Sequence, residues 1–191
     1  MLSHSKRNGM EFIEDLWNRR MKHIMLVSFP MMLITAMTVI FILESSGFGG
    51  TIEEIQLGFD AEIIKSCFLL MSSEGMKFFI LGNLVDYLFM IAYGSFFYSS
   101  ARFLTRNYRT ESITKKIGRA FAWIGILAAI CDGVENIFLL SMTANPMGFP
   151  SWLAIAHSSF AFSKYLFMFS TVIWLMISFI LNLIIRVLSK T

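Results

Sequence analysis

Long apolar segments alternate with shorter polar ones along this chain, and their lengths predict its main elements. The apolar segments cover about residues 24–43, 78–101, 117–142 and 160–187. Each is long enough to cross a hydrocarbon core of about 30 Å as an α-helix, which rises about 1.5 Å per residue. We therefore predict an all-α membrane protein, a four-transmembrane-helix bundle that forms one integral membrane domain over residues 1–191.

Composition supports this class and excludes others. Hydrophobic residues make up 56% of the chain and charged residues 15%, which does not suit a soluble domain of this size. Lysine and arginine gather at the ends of the apolar segments, so the expected partner is the lipid bilayer and not a nucleic acid. The cysteines, Cys67 and Cys131, have no CxxC spacing and predict no redox pair.

The distribution of charge predicts the orientation of the spans. Basic residues precede the first span and separate the second from the third, whereas residues 44–74 are acidic overall. Because basic segments tend to stay on the cytoplasmic side of a membrane, we expect both termini to be cytoplasmic (N-in/C-in). The basic residues concerned are Lys6, Arg7, Arg19, Arg20, Lys22, Arg102, Arg106, Arg109, Lys115, Lys116, Arg119, Arg186 and Lys190.

Residues 51–71, between the first two spans, predict an amphipathic helix on the outer surface. Apolar residues recur there at helical spacing. They are Ile52, Ile55, Phe59, Ile63 and Cys67. Two interpretations stay open: the helix is a lid or lateral gate above a cavity, with Gln56 or Glu62 reaching inward, or it only caps the bundle at the interface. Phe59 belongs to the same candidate gate.

In the second span, polar residues share one helical face. Asn83, Asp86, Met90 and Tyr93 follow i, i+3, i+7 and i+10 spacing, so this face is expected to point away from lipid. A carboxylate inside hydrocarbon is costly and marks a functional site unless it is otherwise satisfied. Asp86 is therefore either part of a binding site or a hydrogen-bonding group that holds helices together.

The third span carries Asp132, Glu135 and Asn136 at i, i+3 and i+4, which places three oxygen-bearing side chains on one face. Counted from Arg119, the two carboxylates lie about 20 and 24 Å along the helix, near the depth of Asp86 counted from the opposite boundary. Two carboxylates this close resist ionising together unless a cation or a lysine neutralises one of them. We predict an ion-binding or ligand-binding site formed by these residues.

The length of the fourth span leaves two depths open for Lys164. Counted from Trp152 it lies about 18 Å deep, level with the carboxylates, and counted from Arg186 it lies about 33 Å away, at the outer interface. It is then either the counter-ion of the carboxylates or a side chain whose ammonium reaches the headgroups. His157, seven residues earlier, either borders the site entrance or is a hydrogen-bonded bystander.

Several chemistries lack their motifs. The chain has no HExxH, no Cys/His ligand set, and no GxSxG, Walker or GxGxxG arrangement, so neither a metal centre nor a cofactor is predicted. The oxygens of Asp, Glu and Asn instead suit a bound proton or a monovalent or hard cation.

One combination of residues resembles a known group of proteins. The combination is Gln56-xx-Phe59-xx-Glu62, Asp86 with Tyr93, Asp132-xx-Glu135-Asn136, and Lys164. It resembles small bacterial proteins with four membrane spans and no established activity, over most of the chain. The resemblance implies the inner membrane of a bacterium as the location and implies no activity.

Three functions fit these observations. The favoured hypothesis is proton- or cation-dependent transport or channel activity, for which four spans favour a homo-oligomer. The second is an intramembrane enzyme or a receptor for a lipid-like ligand, in which a carboxylate acts as general acid and base. The third is a structural or regulatory membrane subunit. The expected ligand is a proton, a cation, a small solute or a lipid-like molecule.

Overall fold

The computed structural model describes residues 2–106, 108 and 112–188, with side chains from residue 16 onward. Within these ranges the chain is helical and has no strand, which confirms the predicted all-α class. The helices are α1 (Leu2–Ser45), α2 (Ile52–Leu57), α3 (Ala61–Leu70), α4 (Ser73–Leu104), α5 (Ile113–Thr143) and α6 (Ser151–Leu188).

Four of these helices, α1, α4, α5 and α6, are long and apolar enough to cross a membrane. The chain is therefore a polytopic membrane protein with four spans, as the apolar segments predict. The helices extend beyond those segments because polar residues at their ends continue the helical backbone past the apolar part.

The four long helices pack in a defined order. α1 lies mainly against α4, α4 lies against α5, and α5 lies against α6, while a smaller α4–α6 contact closes a three-helix core. Small residues allow the close approaches: a Cβ atom added to Gly94 of α4 would lie 3.0 Å from the Cβ of Ala129 on α5. Because lipid tails are as apolar as the helix surfaces, helices in a membrane associate through close packing at small residues and not through the hydrophobic effect. The outward faces carry exposed apolar side chains such as Met37 and Phe41.

The segment between the first two spans differs from its prediction. Residues 51–71 form two short helices, α2 and α3, and not a single one. The break has a local cause. Phe59 has a φ of +54°, which lies outside the right-handed helical region. Asp60 then begins α3 as its N-cap, because its side chain accepts a hydrogen bond from the N–H of Glu62.

Both short helices close one end of the bundle. Their inward residues join side chains of α4, α5 and α6 in one apolar core, and Phe68 and Phe79 meet there edge to face at 5.7 Å. The core consists of Ile55, Ala61, Ile64, Cys67, Phe68, Phe79, Leu139, Met142, Phe149 and Ala154. This cap lies over the end of the bundle that holds the carboxylates.

Candidate functional site

A buried ion pair with three members joins α5 to α6. The ammonium nitrogen of Lys164 on α6 lies 2.9 Å from Oδ1 of Asp132 and 2.6 Å from Oε2 of Glu135, both on α5. The three residues are 6%, 4% and 0% exposed. Of the two depths that the sequence leaves open for Lys164, the structure has the buried one. The i, i+3 spacing on α5 is what presents both carboxylates to one lysine.

A tyrosine from α4 holds the far side of the Asp132 carboxylate. The Tyr93 hydroxyl donates to Oδ2 of Asp132 at 2.9 Å, so this carboxylate is held by α4 and by α6 at once. The Tyr93 ring is buried between Phe89 and Phe97, with centroids at 5.0 and 5.6 Å. Because the ring is fixed by packing, its hydroxyl is fixed at the carboxylate.

The third carboxylate, Asp86 on α4, lies beside this ion pair and has a different partner. The side-chain amide of Asn136 donates to Oδ2 of Asp86 at 2.9 Å and to the backbone carbonyl of Asn83 at 3.3 Å. Asp86 is half-buried, whereas Asn83 and Asn136 are buried. Asn136 therefore orients Asp86 and ties α5 to α4.

These four residues, Asp86, Asp132, Glu135 and Lys164, are here called the charged cluster. It places three carboxyl groups against one ammonium group inside the span region. Uncompensated charge is expensive at low dielectric. With all three carboxyl groups ionised the cluster carries a net charge of −2. Neutrality therefore requires two further positive charges, supplied by protons, by cations or by one of each.

Glu135 has bonding capacity that the described residues do not use. Its Oε1 has no hydrogen-bond partner among them, although the residue is fully buried. Nε2 of His157 lies 4.0 Å from this oxygen, and Nδ1 of His157 lies 3.3 Å from the Glu135 carbonyl oxygen. Buried polar atoms without a partner are rare, and this one can accept a proton or a cation.

The candidate gate residues lie where α2 meets α6. The Tyr165 hydroxyl donates to Oε1 of Gln56, and the Phe59 N–H donates to the hydroxyl of Ser158 at 3.1 Å. These contacts attach the cap to α6 on both sides of Lys164 in sequence. Of the two polar residues that the gate interpretation offers, Glu62 is exposed and pairs with Lys65 at 2.9 Å.

A polar stripe on α6 extends beyond the predicted site. Its members are spaced by seven residues, which is close to two helical turns, and all are buried. They are His157, Lys164, Thr171 and Ser178. Sequence reasoning related the first two and missed Thr171 and Ser178, as well as Ser158 and Tyr165. The seven-residue spacing in an otherwise apolar helix is the signal that identifies the stripe.

Among the side chains that the structure describes, no group of three or more His, Cys, Asp or Glu residues is arranged to hold a metal ion. Comparisons with protein-family models, with curated proteins and with solved structures find no match to this chain. The site geometry is therefore the basis for assigning a function.

Proposed function

We propose that this protein is a proton- or cation-dependent transporter or channel and that the charged cluster is its ion-binding site. The excess of carboxyl groups over ammonium groups in a buried location carries the proposal. One lysine balances one carboxylate, so the remaining two need two further positive charges, as protons, cations or one of each.

The polar stripe on α6 supports movement through the bundle in preference to a purely local role. From Lys164 to Ser178 it runs about 21 Å along the helix, most of the thickness of a hydrocarbon core. The hydroxyls of Ser178 and of Ser100, on α4, are buried and have no hydrogen-bond partner among the described residues. Hydroxyl groups of this kind can relay protons or replace part of the hydration shell of a cation.

Each member of the site has a role in this proposal. Glu135 is the primary acceptor because one of its oxygens is unused. Lys164 is the counter-charge, which binds Asp132 alone when Glu135 takes up an ion. Half-buried Asp86 is the relay to the outside, and Asn136 orients it. Gln56 and Phe59 belong to the gate above the cluster.

The expected setting follows the distribution of charge in the sequence. An N-in/C-in orientation in a bacterial inner membrane puts the charged cluster in the outer half of the bilayer. Four spans are few for alternating access, so the transport-competent form is proposed to be a homo-oligomer.

The test is ion flux into proteoliposomes with proton, Na⁺ and K⁺ gradients, each applied separately. Native protein is compared with Glu135→Gln and Asp132→Asn. Both substitutions keep the shape of the side chain and remove one carboxylate. The matched control is Glu74→Gln, at an exposed carboxylate in the first turn of α4. We expect flux in the native protein and in the control, and loss of flux in the two cluster variants.

Folding has to be separated from function in this experiment. Asp132→Asn leaves Lys164 with one carboxylate fewer, so Asp132→Asn with Lys164→Gln is the second variant, in which both partners are neutral. A folded double variant without flux supports the proposal. Native protein that conducts none of the three ions contradicts it, and so does a Glu135→Gln variant with native flux.

A second candidate function, binding of a lipid-like ligand, has one specific observation in its favour. A cavity of about 50 Å³, which has room for the end of an acyl chain and not for a whole lipid, lies under α2 between the ends of α1, α4 and α5. Its lining is apolar except for Gln56 and Asn83, and Asn83 connects it to the charged cluster through Asn136. Ile52→Trp would fill this cavity: it should abolish binding of a fatty-acyl probe if a ligand enters there, and leave ion flux unchanged.

A further inference from the structure

A second charged region lies at the opposite end of the bundle, outside the charged cluster. It is a cavity of about 330 Å³ between α1, the end of α4 and the beginning of α5. We call it the basic pocket. Its lining residues are Trp17, Asn18, Arg102, Thr105, Arg106, Lys115 and Arg119. Four of these are cationic, and none of the lining residues that the structure describes is acidic.

The fold brings the two basic segments together through one close contact. Gly118 of α5 lies against Thr105, the residue that ends α4, and a Cβ atom at position 118 would overlap the Thr105 side chain. Thr105 is fixed in turn by a 2.7 Å hydrogen bond from its hydroxyl to the carbonyl of Ala101. This contact sets the basic residues of α4 and α5 on opposite walls of one cavity.

The arginines of the pocket keep donors for a ligand. The Arg106 guanidinium donates to the Phe103 carbonyl at 2.9 Å, and that of Arg102 lies over the Trp17 ring at 5.9 Å. A guanidinium has five N–H groups, so most remain for an anion. Burial, with a smaller contribution from the neighbouring Arg186, lowers the pKa of Arg106, yet arginine stays charged at neutral pH.

An apolar groove lies between α1 and α4, further along both helices from the basic pocket. The groove has a volume of about 340 Å³ and includes Ile24, Met31 and Ser95 in its lining. Trp17, Ile24 and Met31 are successive residues at seven-residue spacing on α1, and Ser95 and Arg102 have the same spacing on α4. Residues at this spacing share a helical face. The groove and the pocket therefore lie on the same faces of α1 and α4, one after the other along the helix axes.

We propose that the basic pocket binds the phosphate group of an anionic phospholipid whose acyl chain lies in the adjoining α1–α4 groove. The recognised chemistry is a phosphate, for which several arginines provide planar, charged donors. The pocket lies where α4 ends and α5 begins, beside Trp17, and such positions mark the membrane interface. Basic pockets between spans at this level suit anionic headgroups. This inference is independent of the proposed transport function.

The experiment measures lipid retention by the full-length protein in detergent, by native mass spectrometry. The probes are phosphatidylglycerol, phosphatidylcholine and inorganic phosphate. We expect the native protein to retain phosphatidylglycerol in preference to phosphatidylcholine. Arg102→Gln or Arg106→Gln should each bind phosphatidylglycerol about fivefold more weakly, because one cation near the surface contributes about 1 kcal/mol. The matched control is Lys22→Gln, which removes an exposed cation outside the pocket and should retain the lipid as the native protein does.

A groove variant distinguishes a lipid from free phosphate. Ile24→Trp should weaken binding of phosphatidylglycerol at least severalfold, although the arginines remain in place. This variant also keeps the proposal testable if the arginine variants do not fold. Equal retention of the two phospholipids would overturn the proposal, as would native binding in Arg102→Gln with Arg106→Gln. If equimolar inorganic phosphate displaces the lipid and Ile24→Trp does not change lipid binding, the ligand of the pocket is free phosphate and the lipid proposal is wrong.

Discussion

The two ends of the bundle both concentrate charge, but they differ in how that charge is compensated. In the charged cluster, Lys164 is buried and lies within 2.9 Å of two carboxylates. In the basic pocket, Arg102 and Arg106 are half-buried and line a cavity of about 330 Å³. The fold supplies a lysine for part of the carboxylate charge in the first region, whereas in the second the Arg102 and Arg106 guanidinium groups line a cavity that can hold an external anion.

The comparison predicts that charge removal costs stability in the cluster and affects mainly binding in the pocket. A buried ion pair that loses one partner leaves an uncompensated charge, which costs several kcal/mol. An exposed or half-exposed charge is hydrated, and its loss costs little. Three of the four variants below change polar groups of the two regions, and the other changes the α4–α5 packing; they are ordered from the largest expected effect to the smallest.

Lys164→Gln should lower the free energy of unfolding by about 3–5 kcal/mol, because Asp132 and Glu135 then lack their cation. Thermal unfolding in detergent measures the effect. Lys65→Gln is the control, since Lys65 pairs with an exposed Glu62 and should cost less than about 0.5 kcal/mol. Equal losses for the two lysines would contradict the distinction.

Gly125→Ala should cost about 1–3 kcal/mol, because overpacking a tight contact forces the neighbours apart. The added Cβ atom would lie 2.6 Å from the Cβ of Phe97, which cannot move without the α4 backbone. Gly133→Ala is the matched control on the same helix, since its Cβ atom would come no closer than 3.6 Å to a neighbour. Similar unfolding temperatures for the two variants would show that the α4–α5 contact is looser than described.

Tyr93→Phe should cost about 1 kcal/mol, the contribution of one hydrogen bond between spans. The substitution removes only the hydroxyl that donates to Asp132 and leaves the ring in its aromatic packing. Tyr98→Phe is the control, because that ring contacts Trp123 away from the cluster. Unfolding in detergent measures the difference. If Tyr93→Phe is as stable as the control, the Tyr93 hydroxyl does not stabilise the site.

Arg102→Gln should change the free energy of unfolding by less than about 0.5 kcal/mol in the absence of lipid, as is usual for a charge near the surface. The same variant should gain less thermal stability than the native protein when phosphatidylglycerol is added, since a ligand stabilises only the state that binds it. A large loss without lipid would mean that Arg102 has a partner within the fold, as Lys164 has in the charged cluster.

Most of the fold follows from the sequence because hydropathy and helical periodicity are strong, local signals. The depths of Asp86, Asp132 and Glu135, counted from opposite boundaries, place them at one level, and the structure has them side by side. The break between α2 and α3 was not predicted, although Gly58 and the N-cap residue Asp60 are its local signals.

The remaining features depend on how helices are placed against one another, which a single sequence does not specify. Lys164 has two depths on a helix of 38 residues, and only packing against α5 selects one. The partners of Gln56 and Phe59 lie on α6, about a hundred residues further along the chain. Gly118 is an ordinary helical residue in sequence, and its contact with Thr105 becomes visible only in the assembled bundle.

The ion pair between α5 and α6 also has a consequence for biosynthesis. Lys164 and both of its partners lie on two consecutive helices that are joined by a short turn. A lysine or an aspartate near the centre of a lone span costs about 2.5–3.5 kcal/mol on insertion scales. If α5 and α6 enter the bilayer together as a hairpin, the lysine meets its carboxylates before either helix has to face lipid alone.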